Sequence, residues 1–262
     1  MSFKYKRKKK KSSMWLLLLL LPCICGVVFF GIKILKLNEL DSQSKQIYES
    51  IEQKVFAASE EHKITEQNDA FSSPVSFKAL KDINSDSVAW LKCEGTLINY
   101  PIVQGNDNEY YLKHTIMDEW SDAGCIFLDF KNSDKFSDMQ SIVFGHNFYR
   151  KDLMFTSLMN YKEQEYYERF PTMSLYTPNE EYEIEIFSGY EIEAVQYDLK
   201  LNYDNADEFS DFLRQVQNKS DFRSTAVPTS ADRIFTMCTC SPQGDNQRYI
   251  LHGILKMTDK GE

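Results

Sequence analysis

The sequence predicts a mostly β domain, a small barrel with added helices, behind an N-terminal membrane anchor helix. Three observations carry this. From residue 76 onward, short apolar runs bounded by turn residues recur, the pattern of many short strands. Only a few windows have helical spacing, the clearest being Phe209, Phe212, Leu213 and Val216 within 206–218. At the other end, seven basic residues between Lys4 and Lys11 precede an uncharged run of 18, Trp15 to Ile32, which is close to the minimum for a spanning helix.

The N-terminus is expected to hold a basic cytoplasmic tail (1–13) and a transmembrane signal anchor (14–35). The basic cluster keeps the N-terminus inside by the positive-inside bias. The apolar run exceeds a secretory h-region, and Lys33 and Lys36 follow it in place of an Ala-x-Ala-like cleavage site. Pro22 is compatible with a span. Everything after about residue 35 is then outside the membrane. A helical stalk and linker (36–75) comes next. Leu40, Ile47, Ile51, Val55 and Phe56 give a helix over 37–61, and Ser72-Ser73-Pro74 ends a polar linker.

Within the remaining domain (76–262), a short helix is expected over 77–83. Strands are expected at 90–92, 96–99 and 102–103. Residues 106–113 read as helical, which would put Asn108 and Leu112 at i and i+4 on one face. Strong strands follow at 125–130 and 141–144. Helices are expected at 153–159 and 163–169, the second stopped by Pro171. Strands 173–176 and 182–193, helix 206–218, and strands 233–238 and 247–257 complete the domain. No internal repeat is present.

The chain carries 30 basic and 39 acidic residues, net −9. Without the seven basic residues of the tail the balance is 23 to 39, or −16. An acidic body argues against nucleic acid as a partner. The six cysteines are no disulfide framework: Cys23 and Cys25 lie in the membrane run, and Cys238 and Cys240 on one strand have poor bridging geometry. A zinc site of Cys238 and Cys240 with His252 or Cys93 would need a second spaced pair, which the sequence lacks.

The sharpest constellation is Thr236-Met237-Cys238-Thr239-Cys240 with Arg248 on the next strand, and Gly145-His146-Asn147 at the end of an upstream strand. A cysteine where a strand stops lies at a sheet rim. Thiolate chemistry needs that partial exposure and nearby positive charge. Taken singly, a cysteine is commonly a small buried hydrophobe, a histidine a hydrogen-bonded loop residue and an arginine a solvated charge. The three together resemble the sortase signature, Thr-Leu-x-Thr-Cys plus arginine with a Gly-His-Asn motif. Met237 replaces the leucine, a volume-conserving exchange. Asn84-x-Asp86-x-x-x-Trp90, Tyr100-Pro101-Ile102-Val103-Gln104 and Asn108-x-x-Tyr111-Leu112 also resemble the start of a sortase domain. Gly124 to Asp129 followed by Asn132 is similar to class B members, as is the helix before the cysteine strand.

The resemblance implies an eight-stranded β-barrel and a cysteine transpeptidase (a thiol endopeptidase that transfers). Cys240 would form a thioacyl enzyme, His146 would act as general acid and base, and Arg248 would stabilise the oxyanion. The donor would be a surface protein with a C-terminal sorting motif, Asn-Pro-x-Thr-Asn-like or related, and the acceptor an amine of peptidoglycan or a pilin. By pattern, Asn108 and Leu112 match positions that line the substrate groove. Cys238 shares a strand face with Cys240 and is a further contact candidate. Each of the three reads equally well as helix surface, core or strand packing. The resemblance implies no cofactor and no metal. The carboxylates of Asp118, Glu119, Asp129, Glu180, Glu181, Glu183 and Glu185 are dispersed, so activity should be indifferent to calcium. Two alternatives stay open: a papain-like cysteine hydrolase, whose nucleophile precedes its histidine and starts a helix, and a catalytically inactive tethered binding domain.

Overall fold

The computed structural model describes residues 24–32, 45–59, 73–147, 153–193, 200–240 and 247–258. The chain divides into two units at Ile47/Tyr48. In the first, residues 24–32 are helical and apolar. Among the described residues no helix is long and apolar enough to cross a membrane. The rest of the predicted anchor, 14–23 and 33–35, lies outside them, as does the linker from 60 to 72.

The second unit is a closed barrel of eight strands in the order β1-β2-β3-β4-β7-β8-β6-β5. The strands are β1 (Ser87–Lys92), β2 (Asn99–Val103), β3 (Ile126–Leu128), β4 (Gln140–Gly145), β5 (Thr172–Tyr176), β6 (Glu181–Glu193), β7 (Arg233–Cys240) and β8 (Gln247–Met257). The sheet is mixed. β2 pairs with β3 and β4 with β7 in parallel, while β7 with β8 and β6 with β8 are antiparallel. Closure leaves no free edge, which suits strands as short as β3.

Helix α1, over 45–59, lays Ile51 and Val55 inward from Tyr48 on, with Phe56 edge-on to Trp90. α2 (Phe77–Ile83) follows, capped by Ser76 Oγ, which accepts the Ala79 N–H. α3 is Gln164–Arg169 and α4 is Ala206–Lys219. α4 starts at Asn205, whose side chain accepts the Glu208 N–H, and Asp207 and Glu208 suit its positive end. Its stripe of Phe209, Leu213 and Val216 is buried against Phe187 and Tyr190 of β6, Ile234 and Cys238 of β7, and Ile250 and Ile254 of β8. Burying each large side chain there contributes about 2 kcal/mol.

Three predicted elements differ. Residues 96–98 are a bend leading into β2, which takes Asn99, and the connection is closed by the Cys93 N–H on the Ile98 carbonyl at 2.8 Å. Residues 153–159 are not an α-helix; a 3-10 stretch, Thr156–Lys162, stands there. Its i, i+3 bonds begin with Thr156 on the Leu153 carbonyl. The helix predicted at 106–113 shrinks to one 3-10 turn, Tyr110–Leu112, with Asn108 outside it. The reason is competition for backbone groups. Asp107 Oδ1 accepts the N–H groups of Glu109 and Tyr110. The Tyr111 carbonyl, which a longer helix needs for residue 115, accepts the Cys125 N–H at 2.9 Å instead.

Candidate active site

The parallel register of β4 and β7 runs from Gln140↔Ile234 to Gly145↔Thr239. One step further sets position 146 alongside 240. Across the other edge of β7, Cys240 pairs with Arg248. Three adjacent strands therefore bring positions 146, 240 and 248 to one level of one rim, although 94 residues separate His146 from Cys240 in sequence. β7 carries Cys240 at its end, not at the start of a helix, which disfavours the papain-like reading.

Gly145 makes the approach to His146 possible. A Cβ there would lie 2.4 Å from Ile126 Cδ1 and 2.7 Å from Phe155 Cδ2, so the Phe155 ring packs directly on bare backbone. The Phe155 N–H then bonds the His146 carbonyl at 3.0 Å. The imidazole is held at its other end, where Nε2 donates to the Leu112 carbonyl at 2.9 Å. A carbonyl only accepts, so Nε2 carries the hydrogen and Nδ1 is the nitrogen that can exchange a proton. Burial holds the His146 pKa below the ordinary histidine range. The Leu112 bond opposes that, the charges of Lys113 and Arg248 add to it, and Asp122 opposes it. Arg248 is thus within electrostatic reach of the ring.

Leu112 is positioned from below by residues whose role the motif pattern left unassigned. The Tyr111 hydroxyl donates to Asp86 Oδ2 at 2.8 Å and accepts from Asn84 Nδ2 at 3.1 Å. Asn84 Nδ2 also reaches the Ile116 carbonyl at 2.9 Å. Gly124, at φ 60, comes so close that a Cβ would lie 2.5 Å from the Tyr111 carbonyl. The two motifs Asn84-x-Asp86 and Asn108-x-x-Tyr111-Leu112 are therefore one structural unit beneath the histidine. Their spacing held the signal, but nothing in it said that they meet.

Asn108 ties this loop to the end of β3. Its Nδ2 donates to Asp129 Oδ2 at 2.9 Å, and its Oδ1 accepts the Phe130 N–H at 3.0 Å. Asp129 is occupied there. Cys238 is 2 % exposed and packed under α4. His252 is fully buried: its Nδ1 meets the Thr236 hydroxyl at 2.8 Å, and its Nε2 meets the Tyr190 hydroxyl at 3.3 Å. Cys93 is buried beside the Thr172 carbonyl of β5. Among the described residues no group of three or more His, Cys, Asp or Glu side chains could hold a metal ion.

No protein-family model matches the chain. A search of curated proteins finds Sortase B of Listeria monocytogenes, 35 % identical over 178 residues, 67 % of this chain and 72 % of that protein. Among solved structures, a Staphylococcus aureus sortase B–substrate complex superposes with a TM-score of 0.75 at 28 % identity, over 84 % of this chain and 99 % of that one. A sortase B complexed with triglycine does so with a TM-score of 0.75 at 29 % identity, over 84 % and 100 %. With the barrel, the strand order and the sequence identity in agreement, the chain belongs to the sortase B family of cysteine transpeptidases.

Proposed function

We propose that the chain is a single-pass membrane enzyme that cleaves a C-terminal sorting motif of surface proteins and joins them to an amine of the cell wall. The observation that carries the assignment of roles is the register of β4, β7 and β8, which aligns positions 146, 240 and 248. Cys240 Sγ gives its proton to His146 Nδ1 and attacks the carbonyl carbon of the scissile bond, and Arg248 donates to the oxygen that becomes negative. His146 Nδ1–H protonates the departing amine as the C–N bond breaks, leaving a thioester and a neutral ring. The incoming amine attacks the thioester, Nδ1 takes its proton, and the new amide leaves Cys240 free. The substrate and triglycine complexes of the related sortase B structures support a peptide donor and an amine acceptor. Leu112, whose carbonyl holds the histidine, and Asn108 are the candidates for lining the substrate groove.

The test is a panel of sorting-motif peptides, each incubated with and without triglycine and read by mass spectrometry. Cleavage alone without triglycine, and a joined product with it, is the expected result. No cleavage of any peptide in the panel overturns the assignment. The anchor is supported by the basic tail and the uncharged run of 18 residues. The mature protein should keep its N-terminus and fractionate with membranes, with the domain open to external protease. A mature N-terminus beyond residue 30 would refute this.

A further inference from the structure

Next to Leu112, the β2–β3 connection carries a surface that the chemistry above does not use. Residues 113–121 form a tight hairpin. His114 and Trp120 pair as an antiparallel bridge, the Thr115 N–H donates to the Glu119 carbonyl at 2.8 Å, and the Ser121 N–H donates to the Lys113 carbonyl at 2.7 Å. Asp118 turns the corner at φ 58. The inner side is anchored, with Ile116 fully buried. The outer side is open: Trp120 is 67 % exposed, Met117 49 % and Tyr110 41 %. The Tyr110 ring stacks on His114 at 4.0 Å and 3°, and His114 Nδ1 donates to the Tyr110 carbonyl at 2.8 Å. The Tyr110–His114 stack and Trp120, the cross-strand partner of His114, thus share one region of the hairpin, and exposed aromatic groups of this kind mark binding faces.

Its charge says what it binds. Residues 107–122 hold five carboxylates (Asp107, Glu109, Asp118, Glu119, Asp122) against one lysine, net −4 with histidine neutral. That lysine, Lys113, is already paired with Asp122 at 3.1 Å. Aromatic faces and carboxylates both attract an ammonium. The hairpin also runs directly on from Leu112, whose carbonyl holds His146.

We propose that the Tyr110–His114–Trp120 surface docks the acceptor, a short amine-terminated peptide whose ammonium the acidic rim draws toward the histidine. This rests on the transpeptidase reading above and names where its second substrate arrives. The acceptor must carry a free amine. At neutral pH that amine is mostly protonated, so a negative aromatic surface concentrates it beside the residue that removes its proton.

Two measurements test this, on the full chain. The first is independent of catalysis: triglycine is titrated into Cys240→Ala protein while the Trp120 indole N–H is followed by NMR. A saturable shift is expected, weakened about fivefold or more by Asp118→Asn with Glu119→Gln. Asparagine tolerates the positive φ at 118. Absence of any shift, or a shift indifferent to the two substitutions, overturns the proposal. The second compares Trp120→Ala with wild type in the transfer reaction. The KM for triglycine should rise about fivefold or more. Donor cleavage without acceptor, and transfer to the small neutral nucleophile hydroxylamine, should stay within about twofold. An unchanged triglycine KM, or an equal loss of donor cleavage, refutes acceptor docking. Failure of the wild type to cleave any donor would instead refute the enzymatic reading, while the NMR titration still decides the docking.

Discussion

His146 Nε2 donates to the Leu112 carbonyl at 2.9 Å, so the 3-10 turn between β2 and β3 sets the tautomer of a ring at the end of β4. In the proposed mechanism this bond fixes Nε2 as the donor and leaves proton transfer to Nδ1. Burial dominates the pKa of this ring, and Lys113 lowers it further. Titration of His146 by NMR in Cys240→Ala protein should therefore give a midpoint below the ordinary 6.5. Lys113→Gln removes a like charge, so the midpoint should move up, and the acidic limb of the pH–rate profile should move to higher pH with it. A midpoint at or above 6.5 in the unsubstituted background would contradict the burial described here.

Cys240 and Cys238 lie two residues apart on β7 and should behave differently. Cys240→Ala is expected to abolish both cleavage and transfer. Cys238 is packed among Phe187, Phe209 and Ile250, so Cys238→Ala should cost about 1 kcal/mol of stability and leave substantial activity. Thermal melts and peptide cleavage on both variants decide this. Equal loss of activity in the two would sink the assignment of the nucleophile.

Arg248 pairs in register with Cys240. Arg248→Lys keeps the charge but loses the planar fork, so the rate of thioester formation should fall about a hundredfold. The melting temperature should barely move, since a partly exposed arginine at a rim contributes little to stability. A near-normal rate would reduce Arg248 to a surface charge.

His252 makes the fold acid-sensitive. Burial holds its pKa down to about 3, against 6.5 for the free side chain, with Lys219 adding to the effect. Between those values the unfolded chain binds a proton that the folded chain refuses. Stability is therefore complete above about pH 6.5 and falls as pH drops. At pH 5 this one group should cost about 2 kcal/mol. Urea unfolding at pH 7 and pH 5 measures it, and His252→Gln should flatten the difference by about one proton. Identical pH dependence in the two proteins would show that His252 is not held neutral.

The strands were legible in the sequence because a strand that buries a side announces itself locally. Runs such as Ile142-Val143-Phe144 and Ile234-Phe235 are apolar, short and bounded by turn residues, and helix 206–219 shows its stripe at helical spacing. Cys240, His146 and Arg248 stand out as candidates for the same reason: each sits where an apolar run meets polar residues, and their order along the chain is itself informative. What the sequence could not decide were matters of partnership. Residues 106–113 have helical spacing, yet the carbonyls of Tyr111 and Leu112 are taken by Cys125 and His146, groups distant in sequence, and the helix stops after one turn. Cys238 read equally as a groove contact or as strand packing, and it lies under α4, because only the packing of that helix says which strand face it covers. Asn108 read as a helix-face residue and is a loop staple to Asp129. Local pattern determines which residues want burial or extension. Which backbone groups and side chains meet across long stretches of chain is decided by the closed barrel, since strand order and register set distances that no periodicity encodes.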